Sequence, residues 1–275
     1  IKDDLSTWLN VKPIDLFVTS THDEYHSIAD DHTGYVFTTR EAILTGLPRF
    51  DRLRRLGEQV APQDRNLVLV APTWRSWLTG DMDVVSQLRE VTPQALESEF
   101  MQHWLHVLTS DRLRKAAEEQ GAEIGFLPHP NLQPLLDQLD LPAWVRPLTF
   151  DDNDVQELFA RARVLVTDYS SMAFNTAYLD RPVVYFQFDR DRVLGGEHVG
   201  SSGYFDYERL GYGPVVLDRE EAVDAVVTVL VDGLAPEYQR RIADAFPLRD
   251  GRCCERVTEA VLASTRTVTV VPAGR

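Results

Sequence analysis

Short apolar runs punctuate this chain at intervals that leave room for a helix between most of them: NLVLVAPTW, AEIGFLPHP, WVRPLTF, RVLVTDYSS and PVVYFQF. Short strands alternating with helices predict βαβ units, hence a parallel, doubly wound α/β sheet. Such crossovers are right-handed almost without exception, so successive strands point the same way. In open sheets of this kind ligands bind beyond the carboxyl ends of the strands. The residues that follow each run are therefore where function is to be sought.

The intervening segments support the pattern. PQALESEFMQHWLHVLTSDRLRKAAEEQG predicts one long helix stopped at Gly121, DVQELFARA and MAFNTAYL two short ones, and EAVDAVVTVLVD and RCCERVTEAVLAS two near the end. Residues 61–66 read as a linker. Before it, IDLFVTST predicts a strand, VFTT (36–39) a second, and GLPRFDRL a turn into a helix. The chain opens at Ile1 in a polar, helix-like stretch and is read as part of a longer protein.

Charge excludes some partners. Asp and Glu total 43 against 28 Lys and Arg, a net charge of −15, which argues against a nucleic-acid groove and lends no support to docking on an anionic membrane. No apolar run reaches spanning length. The two cysteines, Cys253 and Cys254, are neighbours, which fits a reducing cytoplasm better than a structural disulfide.

Three strand ends are unusually polar: Pro72-Thr73-Trp74-Arg75, Pro128-His129-Pro130, and Thr167-Asp168-Tyr169-Ser170-Ser171. In a parallel sheet they share one edge. A serine where a helix begins is an ordinary N-cap, but two serines and a threonine at a strand-to-helix turn also suit an anion. Asp168 would repel that anion and is read, with Tyr169, as bordering the site, its carboxylate accepting backbone hydrogen bonds in the turn. His129, constrained between prolines, has the reach of a phosphate donor or of an acid or base, and Arg75 of a charge-assisted contact. His22, His26 and His32 lie in a polar stretch without a closed Cys/His set and are not read as a metal site. There is no GxGxxG fingerprint, P-loop or GxSxG elbow. The Gly- and aromatic-rich EHVGSSGYFDYERLGYGPVV predicts a shaped loop near the site.

The stretch VLVTDYSSMAFNTAYLDRPVVYFQFD resembles the signature of the CDP-glycerol glycerophosphotransferases, the teichoic-acid primases and polymerases. LTGLPRFDRL, VLVAPTWR, FLPHP and GYFDYERLGYGPVV resemble further motifs of that family, in the same order. The resemblance implies a GT-B architecture of two Rossmann-like domains, with 61–275 the CDP-donor-binding domain and 1–60 the end of the acceptor-side one. It implies transfer of a polyol phosphate, glycerol phosphate foremost, from a CDP-polyol to an acceptor hydroxyl on a polyol-phosphate or glycan chain, with CMP leaving and no bound metal required. Carried over by motif, His129, Ser170 and Ser171 fall on donor-phosphate positions, with His129 the catalytic candidate and Thr73, Arg75, Arg49 and Thr167 further phosphate contacts. The general base is expected in the N-terminal domain, so this chain alone is expected to be inactive. The cysteine usage places the protein in the cytoplasm, and any association with the inner face of the membrane, which the resemblance implies, is assigned to parts outside the chain. Two positions depart from the family pattern: Asn175 stands where an Asp is usual and Ser202 where an Arg is often found. A nucleotide-sugar glycosyltransferase of the same fold, and a non-catalytic module binding polymer or a partner, remain open on these residues.

Overall fold

Residues 2–82, 89–197 and 201–266 are described by the computed structural model. Near the start, β1 (Phe17–Thr19) and β2 (Ala42–Leu44) pair in parallel around α1 (His22–Ala29). This small unit carries its own cluster of Leu9, Phe17, Ile28 and Phe37. The second strand was expected at 36–39. Residues 38–42 instead close a turn, in which the Thr38 amide and hydroxyl donate to the Glu41 carboxylate (3.0 and 2.9 Å). Phe37 packs on Phe17, ring centroids 5.3 Å apart, and pairing begins only at Ala42.

The main sheet is built from β3 (Leu67–Val70), β4 (Glu123–Phe126), β5 (Val145–Pro147), β6 (Ala162–Thr167), β7 (Val183–Phe186) and β8 (Val215–Val216). Their order is β8-β7-β6-β3-β4-β5, and every neighbouring pair is parallel. Alternate residues face opposite layers. Val68, Val70, Val164, Val166 and Val184 pack beneath α3 (Glu99–Leu108), α4 (Asp111–Glu119) and α7 (Arg219–Asp232). Leu67, Leu69, Leu165, Val183 and Tyr185 pack beneath α2 (Arg49–Gln59), α5 (Val155–Arg161), α6 (Met172–Tyr178) and α8 (Pro236–Ala245). Each buried aliphatic side chain contributes roughly 1.5–3 kcal/mol, whereas a surface ion pair contributes about 0–1 kcal/mol. The apolar alternation therefore sets the register.

The single helix expected over 93–121 is broken in two. Ser98 caps α3 by accepting from Met101 N–H, and Ser110 caps α4 by accepting from Leu113 N–H. A serine oxygen competing for backbone N–H groups is what ends one helix and starts the next. Helix α8 and the short edge strand β8 carried no clear signal in the sequence.

The Gly-Leu-Pro-Arg-Phe-Asp stretch ties the two ends of the chain together. Phe50 stacks on Tyr178, centroids 4.2 Å apart, so α2 joins the core of the main sheet. Gly46 sits at φ +75°, and a Cβ there would collide with Cys253 Sγ. Buried Asp51 accepts from the amides of Cys253 and Cys254, both at 2.8 Å, and so caps α9 (Cys253–Arg266) from a distance of about 200 residues. Burial alone would raise the Asp51 pKa, but the two amide hydrogen bonds outweigh it and hold the carboxyl below its ordinary range. Stability gained this way is present above the unfolded pKa and is lost as pH falls through the folded one. Asp51→Asn should lower unfolding free energy at pH 7 by about 1–2 kcal/mol and flatten the loss of stability between about pH 4 and 2. Urea unfolding at both pH extremes checks this, and parallel curves for the two proteins would refute it.

Candidate functional site

The three polar strand ends meet because β4, β3 and β6 are neighbours in the sheet. Past β3 the chain runs through Thr73 to Arg75, and past β6 through Asp168 to the serines. The Thr73 hydroxyl donates to Asp168 Oδ1 (2.6 Å) and its amide to the same carboxylate (3.0 Å). Trp74 and His129 rings lie 6.0 Å apart, bringing the β4 end alongside.

Arg75 is at the centre and is fully buried. Its Nη2 donates to Asp168 (2.8 Å) and to Asp189 (3.1 Å), its Nε to Asp189 (2.6 Å), and its Nη1 to the carbonyls of Thr73 (2.9 Å) and Trp74 (3.2 Å). These five contacts engage all five guanidinium N–H groups. The Phe100 and Tyr169 rings close over it, with centroids 4.9 and 5.2 Å from the guanidinium carbon. Burial alone would weaken its hold on the proton, but the two carboxylates outweigh that and raise the pKa above the ordinary arginine value. Expected on the anion itself, Arg75 is instead a joint between the segments that follow β3, β6 and β7.

Other candidates divide by what their polar atoms already hold. Thr167 is fully buried and donates to the Ala71 carbonyl (2.7 Å), locking β6 to β3 at their carboxyl ends. Asp168 also accepts from Tyr169 N–H (2.7 Å), while Gln187 donates to its carbonyl (3.2 Å). Tyr169 is buried, and desolvation pushes its phenol pKa far above the ordinary value. Ser170 accepts from Met172 N–H (3.2 Å) and so takes the capping role, while the Ser171 side chain is exposed beside it. His129 Nδ1 accepts from Asn131 N–H (3.2 Å), which places the proton of the neutral ring on Nε2. Arg49 is exposed and donates to Asn175 Oδ1 (3.2 Å), so the Asn at the departing position is its partner. Ser202 pairs with Asp3 in a two-residue antiparallel bridge. Of the Gly- and aromatic-rich loop, residues 198–200 lie outside the described residues; the rest packs Phe205 and Tyr212 on Phe174 of α6 (4.9 and 5.3 Å).

Reading the sequence missed Asp189. The signal was available, since it lies three residues past β7, at the same edge as the other three strand ends. Among the described residues no cluster of three or more His, Cys, Asp or Glu could hold a metal ion, and no helix is long and apolar enough to cross a membrane.

With this geometry in place, the comparisons with known proteins decide the family. The family model for CDP-glycerol:poly(glycerophosphate) glycerophosphotransferase matches residues 2–263. The chain belongs to this family. It is 28% identical to the minor teichoic acid biosynthesis protein GgaB of Bacillus subtilis, over 94% of this chain and 28% of that protein. It is 26% identical to the teichoic acid glycerol-phosphate transferase of Staphylococcus aureus, over 81% of this chain and 55% of that one. The chain thus spans only about a quarter to a half of the length of these relatives. A solved structure of the wall teichoic acid polymerase TagF superposes with a TM-score of 0.60 at 20% identity, over 92% of this chain and 56% of that one, a likeness in fold.

Removing one partner of a buried ion pair leaves the other charge uncompensated, at a cost of roughly 3–5 kcal/mol. Arg75→Met strands Asp168 and Asp189 together and should lower unfolding free energy by at least that much. Arg75→Lys, which keeps the charge but not the fork, should recover only part. A loss under about 1 kcal/mol in denaturant titration would show that Arg75 is not the joint.

Proposed function

We propose that the chain is the CDP-polyol-binding portion of a glycerophosphotransferase that builds a teichoic-acid or capsule-like polymer. Residues 1–60 are then the end of an acceptor-side domain, with α2 reaching across to the main sheet, and residues 61–275 form the donor domain of a GT-B enzyme. The observation that carries this reading is the carboxyl edge of the sheet in a member of this family. There His129, Ser170 and Ser171 stand on loops fixed by the Arg75 joint, with Arg49 close to α6.

In the proposed reaction an acceptor hydroxyl oxygen attacks the phosphorus that carries the glycerol. The new O–P bond forms as the bond to the bridging oxygen breaks, CMP leaves with that electron pair, and the acceptor proton passes to a base outside this chain. Charge accumulates on the diphosphate, so pre-placed donors at its oxygens lower the barrier. His129 Nε2–H and the Ser171 hydroxyl are donors of this kind, while Arg49, whose partner Asn175 is neutral, retains its charge for an anion. Neutralisation by side chains is read as sufficient without a bound metal. The acceptor is a polyol-phosphate or glycan chain, and the work is done in the cytoplasm, with any contact to the inner membrane face made elsewhere in the longer protein.

CDP-glycerol at tenfold above its Kd should raise Tm by about 3 °C, and UDP-sugars should not. His129→Ala and Ser171→Ala should each weaken CDP-glycerol binding by about tenfold or more. If CDP-glycerol and CDP-ribitol both leave Tm unchanged while a UDP-sugar raises it, the chain is a nucleotide-sugar domain instead.

A further inference from the structure

Opposite the candidate site, at the amino ends of the strands, the structure holds a second concentration of positive charge. Two adjoining cavities of about 420 and 630 Å³ share Pro62, Arg65, Asp180 and Arg181 in their walls. Arg65 lies two residues before β3, and Arg181 two before β7. Arg181 is only 5% exposed. Its Nη1 donates to the Leu179 carbonyl (2.8 Å), but its Nε is buried with no hydrogen-bond partner. The Nε of Arg65 is likewise buried and unpartnered. Among the described residues, neither guanidinium has an ion pair. The carboxylates nearby are engaged elsewhere, Asp180 by Arg249 (2.5 Å) and Glu58 by Arg54 (2.8 Å), apart from exposed Asp232.

This arrangement costs free energy as it stands. A buried charge without a counterion carries its full desolvation penalty, and a second like charge beside it adds repulsion. Burial, and then Arg65, push the Arg181 pKa down to about 10. The contrast with Arg75 is informative: there two carboxylates ion-paired to one buried guanidinium compensate it, and here the nearby Asp180, itself paired with Arg249, offsets only part of the cost. The chain carries 15 more acidic than basic side chains, yet among the described residues no carboxylate forms an ion pair with either arginine. A bound oxyanion with several acceptor oxygens would accept from both guanidiniums and remove both penalties.

We propose that Arg65 and Arg181 form a phosphate-binding site at the amino edge of the sheet, separate from the donor site. The cavities are many times the volume of one phosphate group, so the ligand is a phosphate carried on a larger molecule, a monoester or a phosphodiester chain. Neither residue lies at the carboxyl edge, so the site stands whether or not the donor reading does.

The test measures Tm of the full chain against inorganic phosphate, and against a short glycerol-phosphate oligomer, with chloride adjusted to hold ionic strength constant. Phosphate at tenfold above its Kd should raise the wild-type Tm by about 3 °C. The Arg65→Gln/Arg181→Met double variant should match or exceed the wild type without ligand, because an uncompensated charge pair is gone, and should lose the ligand-dependent rise. Should the double variant fail to fold, Arg65→Gln alone, at a half-buried position, should weaken binding at least about tenfold. Tighter binding of the oligomer than of inorganic phosphate assigns the site to a phosphodiester chain, and equal binding assigns it to the terminal phosphate of a monoester. The proposal is overturned if the wild type shows no phosphate-dependent rise, or if the variants keep it in full.

Discussion

Arg75 holds three loops with one side chain. Its five N–H groups reach two carboxylates and two carbonyls that come from the segments after β3, β6 and β7. Forming this cluster contributes little net stability, since desolvating a guanidinium and two carboxylates offsets most of their attraction. Its effect is geometric. Once the three charges are buried together, no loop can move without stranding one of them, so the turn that carries Ser170 and Ser171 is fixed relative to the Thr73–Arg75 segment. Thr167 adds to this by bonding to Ala71 across the same strand ends. A phosphoryl-transfer site depends on placement rather than on covalent chemistry by the protein, and rigid loops at a sheet edge are what placement requires.

A consequence is that the residue with the most obvious charge at this edge is unavailable to a ligand. In the proposed reading, neutralisation of a diphosphate falls to groups with less conspicuous credentials: an imidazole with its proton on Nε2, an exposed serine hydroxyl, and Arg49 beside Asn175. Asn175 changes this balance. An aspartate at that position would cancel the Arg49 charge, whereas an amide holds the guanidinium by one hydrogen bond at 3.2 Å and leaves its charge intact. The substitution that sets this chain apart from its family pattern thus strengthens the local positive field next to α6.

The parallel sheet was legible because short apolar runs separated by helices admit few other folds, and the polar ends of β3, β4 and β6 were legible because parallel strands share one carboxyl edge. What could not be read was which polar group would pair with which. Arg75 is 93 residues from Asp168 and 114 from Asp189, and a sequence does not reveal that all three are desolvated together. The break of the 93–121 helix turned on one serine's choice of hydrogen-bond partner, and the displacement of the second strand from 36–39 to Ala42–Leu44 on one glutamate closing a turn. These are contests decided by about 1 kcal/mol, below what periodicity resolves. The anion proposed for this edge follows from the family motifs and from nothing in the spacing.

The net charge of −15 illustrates how an averaged quantity can mislead about partners. Screening at physiological salt falls off over about 8 Å, while β6 alone, with six residues at about 3.3 Å each, separates the two edges of the sheet by about 20 Å. An anion at either edge therefore responds to the few charges beside it and not to the total. At the carboxyl edge the buried arginine is paired with two carboxylates, while Arg49 feels Glu24 only at a distance. At the amino edge Arg65 and Arg181 have no ion pair among the described residues. Both proposed sites rest on this: an acidic chain can hold a polyanion by spreading its carboxylates over the surface while leaving a few guanidiniums without an ion pair.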